Sequence, residues 1–348
     1  MQLLQPREGT VHGDAYLPAD LDSIAWGLLP NATSRPVTKV ASGSTITIDT
    51  VSHEGILEDQ GRDPAAFFAA SGIPAVLADA AAVARDAVHD PAAQGPHVVT
   101  GPIAVAGAQP GDVLEVEILA LDRRAPYGVI SNRHGKGALP GEYPATPGTV
   151  SLVATVEDGR GVLPVGDGRS LRFPLAPFLG IMGVAAATDQ PVHSVPPGPH
   201  GGNIDVSMLG LGASLYLPVQ VPGALFYTGD PHFAMGDGEV ALTAFEAPLR
   251  ATVRLTVHAD PAIRALAAAL ATPFAETATD HLVLGLDRDL DEAVKQATRN
   301  ALTFLNERHG VPPQVGLAYL SAAADFRISQ VVDIVKGVHC CIRKADLP

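Results

Sequence analysis

One segment of the chain, residues 201–246, concentrates side chains that can do acid–base chemistry or bind a metal ion. They lie among glycines and apolar residues rather than among the lysines and serines typical of a solvated surface. The segment reads GGNIDVSMLGLGASLYLPVQVPGALFYTGDPHFAMGDGEVALTAFE, and its candidates are Asn203, Asp205, Asp230, His232, Asp237, Glu239 and Glu246. We infer that these residues either serve a chemical function, for which the fold positions them, or stabilise the fold.

Three pairs in this segment share one spacing, i and i+2. The pairs are Asn203/Asp205, Asp230/His232 and Asp237/Glu239. In an extended backbone, this spacing places both side chains of a pair on the same face. Carboxylates and a neutral imidazole are suitable ligands for zinc or a similar divalent ion. Such an ion could polarise a carbonyl and acidify water, and a further carboxylate could act as general base.

A structural explanation of the same residues stays open. Asp and Asn beside glycine are common in turns, where they accept hydrogen bonds from nearby N–H groups. The sequences GDP at 229–231 and GDGE at 236–239 could therefore be tight loops. His232, between a proline and a phenylalanine, could equally be a hydrogen-bonded core histidine.

Upstream residues could complete the site. Asp49 and His53 share a face if the strand predicted around residues 45–49 continues, and they could then join a metal shell or supply a base. The acids that follow, Glu54, Glu58 and Asp59, could serve in the same way. The alternative is that Glu58 and Asp59 are solvated, and we expect Asp63 to cap a helix. His97 and His200 lie close to glycines, which let a backbone approach a ligand, but for either histidine taken singly we favour a surface or structural role.

Composition limits the class of protein. The net charge of −14 argues against a nucleic-acid partner, because a phosphate backbone would be repelled. No apolar run has transmembrane length, and the first residues show no basic region followed by an apolar stretch. The two cysteines, Cys340 and Cys341, are adjacent and cannot form a disulfide framework, so we expect a cytoplasmic protein without a membrane partner.

The pattern of breakers and apolar runs predicts a mainly β protein. Thirty prolines and thirty-five glycines punctuate short apolar runs, which is typical of a sandwich or barrel. We predict a mainly β catalytic core over residues 1–257, with a helical insertion near 64–89. Residues 258–348 are predicted to form a smaller, α-rich C-terminal part that packs on the core, with an amphipathic helix over 286–310.

Three blocks of the chain resemble the acetamidase/formamidase family. They are the 201–246 segment, HVVTGPIAVAGAQPGDVLEVEIL and AWGLLPNATSRPVTKVASGSTITI. The resemblance implies a mainly β architecture and hydrolysis of formamide, acetamide or a related small amide to carboxylate and ammonia. It also implies a divalent metal ion and a homo-oligomer, a dimer or larger. The chain contains no GxSxG or Walker motif and no mid-chain cysteine, which also favours metal-activated water.

With this resemblance, we assign roles to seven residues. The predicted metal ligands, with zinc as the ion, are Asp205, His232, His53 and Asp230. The predicted catalytic residues are Glu246 as general base, Asn203 to hold the amide or a ligand, and Asp237. Two alternatives remain: a γ-lactam hydrolase that uses the same site, and a non-catalytic β-sandwich that binds a small ligand or a sugar.

Overall fold

Strands dominate the regular structure. The computed structural model describes residues 2–348, and its twenty-two strands and five helices are numbered here in chain order. The first eleven strands are β1 (Ala15–Leu17), β2 (Ile24–Trp26), β3 (Leu28–Leu29), β4 (Thr38–Val40), β5 (Ser44–Asp49), β6 (Val98–Val105), β7 (Val113–Arg123), β8 (Tyr127–Arg133), β9 (Thr149–Glu157), β10 (Arg160–Gly166) and β11 (Arg169–Pro174). The others are β12 (Phe178–Gly183), β13 (Val192–His193), β14 (Gly201–Asn203), β15 (Ser214–Pro218), β16 (Phe226–Ala234), β17 (Phe245–Glu246), β18 (Leu249–His258), β19 (Phe274–Glu276), β20 (Asp280–Asp287), β21 (Asp325–Gln330) and β22 (Lys336–Arg343). The helices are α1 (Pro64–Ala69), α2 (Ala78–Asp86), α3 (Pro261–Leu270), α4 (Leu290–His309) and α5 (Pro313–Ala323).

Two large sheets contain almost all of these strands. The first has nine strands in the order β1-β5-β18-β7-β15-β19-β20-β22-β21. The second has eleven strands, with the path β11-β10-β9-β8-β17-β16-β12-β14 and with β6 joining β16 to β2 and β4. Most pairings are antiparallel, and β13 pairs with β3 apart from both sheets.

One hydrophobic core lies between the two sheets. Ile46 and Val253 reach it from the first sheet, and Ile103, Leu179 and Phe233 reach it from the second. The side chains alternate along these strands between the core and the other face, because successive residues of a strand point to opposite sides. The predicted fold class, a mainly β sandwich-like core with a smaller part that contains helices, is confirmed.

The helices occupy the places at which the sequence signals them. Asp63 caps α1, where its side chain accepts a hydrogen bond from the N–H of Ala66, and Pro64 occupies the first helical position. α4 starts after Asp289 as N-cap and ends at Gly310, which has a φ of 65°. α3, α4 and α5 bury their apolar faces in a second cluster, together with strands of the first sheet.

The C-terminal residues contain strands as well as helices. β19, β20, β22 and β21 extend the first sheet beyond β15, so this part of the chain is continuous with the sheet of the core. The division of the chain at residue 257 into a core and a C-terminal part stays a prediction. Within residues 2–348, no helix is both long enough and apolar enough to cross a membrane.

Asp49 has a structural position, which corrects the idea that it shares a functional face with His53. β5 ends at Asp49, and the carboxylate binds the buried Arg250 at 2.6 and 3.0 Å. Arg124 Nη2 lies 3.6 Å from Asp49 Oδ2 and 2.7 Å from Asp79 Oδ2. These ion pairs are inside the protein, where a charge without a partner is costly. Asp49 therefore ties β5 to β18 rather than serving the site.

We predict that Asp49→Asn lowers the free energy of unfolding by about 3–5 kcal/mol, because it leaves the buried Arg250 guanidinium without its counter-charge. The measurement is urea unfolding followed by circular dichroism. Asp122→Asn is the matched control, because the exposed Asp122 pairs only with His12 at 3.3 Å and such a pair contributes about 0–1 kcal/mol. Equal stability of the two variants would contradict a structural role for Asp49.

Candidate active site

Strand β16 carries the centre of the candidate site. It runs between β12, β6 and β17 in the second sheet. Asp230 and His232 both lie on this strand and are buried. Their i, i+2 spacing does place them together, and His232 Nε2 lies 3.3 Å from Asp230 Oδ2.

Strand pairing adds Glu246 to this centre. In the register of β16 and β17, His232 is the partner of Glu246. Directly opposed residues of antiparallel strands project on the same face, so their side chains meet. His232 Nε2 lies 2.9 Å from Glu246 Oε1, which also accepts a hydrogen bond from the N–H of Ala244 at 3.0 Å.

Two further histidines approach Asp230 from other elements. His53 Nδ1 is 3.3 Å from Asp230 Oδ1, and His97 Nε2 is 4.0 Å from the same atom. The two imidazoles meet edge to face, with ring centroids 5.0 Å apart. His97 Nδ1 is 3.0 Å from Ser194 Oγ, which fixes the orientation of the ring. His97 thus joins the site, whereas His200 is buried beside Gly202 and does not line the site cavity.

A charged layer lies behind His53. Glu54 Oε1 is 3.5 Å from His53 Nε2 and accepts a hydrogen bond from Arg133 Nη1 at 2.8 Å. Ser131 Oγ and Gln60 Nε2 also donate to Glu54. These hydrogen bonds fix the carboxylate of Glu54, which in turn holds the His53 ring in place.

Three more carboxyl groups close the other side of the cluster. Asp205 Oδ1 is 3.8 Å from His232 Nδ1, and Glu239 lies close enough to bind the same metal ion as this pair. Asp333 comes from the loop between β21 and β22. That loop is tied to the 236–239 turn by hydrogen bonds from Gly238 N to Ser329 O at 3.1 Å and from Val331 N to Gly238 O at 3.2 Å. The C-terminal hairpin therefore completes the site.

Burial and neighbouring charges shift the pKa values of this cluster in opposite directions. Burial lowers the pKa of His97 to about 3, so this imidazole is neutral near pH 7. Burial alone would also lower the pKa of His232, but the carboxylates of Glu246 and Asp230 raise it well above its usual range. Burial alone would raise the pKa of Asp230, whereas His232 and His97 hold it well below.

The remaining acids resist ionisation. Burial raises the pKa of Glu246, although His232 opposes this shift. Burial, with the negative charges of Asp333 and Asp230, raises the pKa of Asp205 well above its usual range. The pKa values of Glu239 and Asp333 are raised in the same direction, again by burial first. If they were all ionised, so many acids in one dry place would carry more negative charge than the nearby histidines can balance, and the raised pKa values reflect this.

Many polar atoms in this cluster make close ionic contacts but no aligned hydrogen bond. They include His53 Nδ1, both oxygens of Asp205, Asp230 Oδ1, both nitrogens of His232 and Glu246 Oε2. The 2.9 Å approach of His232 to Glu246 does not align a ring N–H with the oxygen. Leaving such groups unpaired in the interior is costly. The atoms that could ligate a metal ion form three groups, and the atoms of each group lie within 4.8 Å of one another: His53/His97/Asp230, Asp205/His232/Glu239 and Asp230/His232/Glu246. This chemistry and closeness fit a divalent cation.

A glycine makes room for these side chains. A Cβ atom at Gly180 would lie 2.6 Å from Asp230 Oδ2 and 2.7 Å from His232 Cε1, and it would also contact Asp205 Oδ1. Since Gly180 lies on β12, next to β16, any larger residue there would displace the acids.

The cluster forms one end of a large cavity. The cavity has a volume of about 730 Å³. His53, His97, Asn203, Asp230 and Glu246 reach its surface, whereas Asp205 and His232 lie behind it. The side-chain oxygen of Asn203 is buried and has no partner. A ligand in the cavity could therefore contact the first five residues directly.

Six of the seven residues that the sequence analysis selected come together here, and Asp237 does not. Asp237 is exposed, accepts a hydrogen bond from Ser207 Oγ at 3.0 Å, and lies 3.8 Å from Arg327 Nη1. The reason is local: residues 236–239 form a turn with Gly238 at φ 99°, so Asp237 and Glu239 do not share a face. Glu239 points inward in its place.

Glu54 is predicted from the sequence only as one of several acids after His53 that could complete a metal shell or supply a base, and Asp333 is not predicted at all. Glu54 follows His53 directly, and its adjacency was the only signal in the sequence. Asp333 is remote from every motif, in a segment without glycine-rich or histidine-rich context. Only the pairing of β21 with β22 brings its loop to the site.

Comparisons with known proteins identify the family of this chain. A family model described as the acetamidase/formamidase family matches residues 79–193 and 185–344. An acetamidase from Mycolicibacterium smegmatis is 27% identical over 198 residues, which cover 41% of this chain and 49% of the relative. A formamidase from Methylophilus methylotrophus is 25% identical over 306 residues, which cover 68% of this chain and 74% of the relative.

A solved structure shares the whole fold. An acetamidase from Bacillus halodurans is 28% identical, with a TM-score of 0.73 over 95% of this chain and 98% of that one. The chain spans about half the length of two of the curated relatives that it matches, 47% of one and 49% of the other. Because the family model matches well over half of its residues, the chain belongs to the acetamidase/formamidase family.

Proposed function

We propose that this protein hydrolyses a primary aliphatic amide to a carboxylate and ammonia, with the help of a bound divalent ion, zinc in the first instance. The observation that supports this most strongly is the set of buried, unpaired acids and imidazoles at one end of the cavity. Membership in the acetamidase/formamidase family and the names of the relatives agree with an amide as substrate.

We place the ion among His53, His97 and Asp230. These three residues offer two imidazoles and one carboxylate, and all of them reach the cavity. Two or three histidine ligands with an open position toward substrate are typical of catalytic zinc. Ser194 beside His97 Nδ1 leaves Nε2 free to ligate. Asp205 and His232, which were predicted as ligands, do not line the cavity, and we propose that they position Asp230 and Glu246. A bound zinc ion would supply Lewis acidity that polarises the amide carbonyl.

Glu246 is the proposed general base. Its Oε1 is held by the N–H of Ala244, while its Oε2 has no partner and the residue reaches the cavity. Burial raises its pKa, which makes this carboxylate a better proton acceptor near neutral pH. Glu246 takes a proton from the attacking water as the C–O bond forms. It then delivers that proton to the nitrogen, so that the C–N bond breaks and ammonia leaves.

Asn203 is the proposed anchor for the substrate. Its side-chain oxygen is buried, unpaired and at the cavity surface. A primary amide has two N–H donors, and one of them would satisfy this acceptor. The contact orients the amide so that its carbonyl carbon faces the water beside Glu246. The subunit number and the cytoplasmic location remain predictions from the sequence.

We expect the zinc-loaded protein to release ammonia from formamide or acetamide, and removal of the metal to abolish this release. The measurement combines elemental analysis of the purified protein with an ammonia assay before and after dialysis against a chelator. Activity should return on addition of zinc. Full activity in rigorously metal-free protein would contradict the role of the ion, and an assay of γ-lactam opening in the same samples tests the alternative substrate.

We expect Glu246→Gln to lower kcat by about 10²–10⁴, the usual contribution of a positioned general base. The variant keeps the size of the side chain and the hydrogen bond from Ala244, so zinc content and unfolding temperature should change little. Glu157→Gln is the matched control, because Glu157 is half exposed and pairs with Arg172 at the surface. A variant at position 246 with the kcat of the control would exclude Glu246 as the base.

We expect Gly180→Ala to weaken zinc binding by about 10–100-fold, the range found when residues that orient ligands are disturbed. The added methyl group would displace Asp230 and Asp205. Zinc affinity is measured by competition with a chromophoric chelator. Gly236→Ala serves as control, since no atom lies within 4 Å of a Cβ there and its φ is not positive. Unchanged affinity in Gly180→Ala would place the ion elsewhere.

A further inference from the structure

The cavity is much larger than acetamide or formamide. Its volume of about 730 Å³ lies in the range of about 300–1,000 Å³ that is usual for sites that bury a drug-sized ligand. Acetamide has only four non-hydrogen atoms. The residues with a proposed chemical role occupy one end of this space, so most of the cavity wall has no role in the reaction itself.

Two segments form much of the apolar part of the remaining wall. The first follows α2 and contributes Pro91, Ala92 and Pro96, and the second is the loop between β21 and β22, which contributes Val332 and Ile334 beside Asp333. Elsewhere the wall carries charged side chains, which are those of Glu58, Asp59, Arg133, Lys136 and Lys336. Contact with an apolar ligand would remove the surface of the apolar side chains from water, which is favourable in proportion to the area buried.

Ile334 is the central residue of a tight turn, which is closed by a hydrogen bond from Val335 N to the carbonyl oxygen of Asp333 at 2.6 Å. Its φ is 69°, which is a rare conformation for a β-branched residue, and 49% of the residue is exposed. A strained backbone that gains no packing is more often retained at a ligand site than elsewhere. The strain places an isoleucine side chain on the wall of the cavity.

Stacking and hydrogen bonds anchor both ends of the first segment, at His89 and at residues 95–96. The ring of His89 stacks on Trp26 at a centroid distance of 4.4 Å and an angle of 8°. His89 Nδ1 lies 2.9 Å from Glu58 Oε1, and His89 Nε2 lies 2.9 Å from the carbonyl oxygen of Gly95. Trp26 Nε1 donates to Pro96 O at 2.8 Å. A wall that is fixed in advance spares the binding reaction the cost of ordering it.

From these observations we infer that the substrate is a primary amide with a bulky, mainly apolar acyl group, which lies between the 91–96 segment and the 331–334 loop. The inference rests on the proposed amide hydrolysis and names the kind of amide. Contacts far from the reacting carbon can still raise kcat/KM, because remote binding energy helps to hold the reacting groups in place.

The first test compares the zinc-loaded protein on acetamide, butanamide, hexanamide and phenylacetamide. Full burial of one methylene group corresponds to about four-fold in affinity, so even partial burial of several groups should be visible. We expect kcat/KM to rise at least about ten-fold from acetamide to hexanamide. A kcat/KM that is highest for acetamide, in a protein that does release ammonia, would overturn this inference and leave the proposed function intact.

The second test uses two neighbouring alanines. Ala92 lines the cavity, whereas Ala93, which is exposed in the same turn, does not. We expect Ala92→Trp to lower kcat/KM for hexanamide at least about ten-fold and to change that for acetamide less than about two-fold. Ala93→Trp should change neither. Equal kcat/KM values for hexanamide in Ala92→Trp and Ala93→Trp would exclude this wall from substrate binding.

The outcomes separate the two proposals. If no amide of the panel is hydrolysed by protein that contains zinc, the proposed function fails and this inference fails with it. If acetamide is hydrolysed but the longer amides are not, only the inference about the acyl group fails.

Discussion

Charged side chains in a dry interior need counter-charges, and the way in which this chain meets that constraint divides its buried acids into two kinds. Asp49 pairs with Arg250 and Arg124, so the protein itself supplies the counter-charge of this carboxylate. The acids around Asp230 have imidazoles rather than guanidinium groups beside them, and several of their oxygens accept no aligned hydrogen bond. The first arrangement contains its own positive charges, and removing one partner of such a buried pair is costly. The second lacks positive charge, and a divalent cation would supply it.

The fold builds this second arrangement from distant parts of the chain. β16 supplies the central acid and histidine, β17 opposes them with Glu246, and the C-terminal hairpin adds Asp333. His53 and His97 arrive from the N-terminal third. Because β16 is held on several sides by other strands, the positions of its side chains are fixed by the sheet rather than by flexible loops. Such rigidity suits a site whose chemistry depends on short distances.

Sequence reasoning succeeded where local backbone geometry decides the outcome. The spacing of Asp230 and His232 was informative because both lie in one strand, and the prolines and glycines correctly indicated many short strands. The same spacing failed at Asp237, where a glycine turn reverses the direction of the side chains. The pairing between strands could not be predicted, because no local pattern shows that His232 opposes Glu246 or that Asp333 lies at the site. Register is a long-range property, and a single sequence does not display it.

Backbone conformation adds an independent argument that these acids are kept for their carboxylates. Asp205, Asp230 and Glu239 have φ values of 45°, 50° and 46°, a region in which glycine is the least costly residue. The chain does use glycine at adjacent positions such as Gly202 and Gly238, at φ 79° and 99°. Glycine at the three acid positions would relieve both backbone strain and buried charge. Carboxylates at these positions therefore have a function that glycine could not perform. A carboxylate can ligate a cation or transfer a proton.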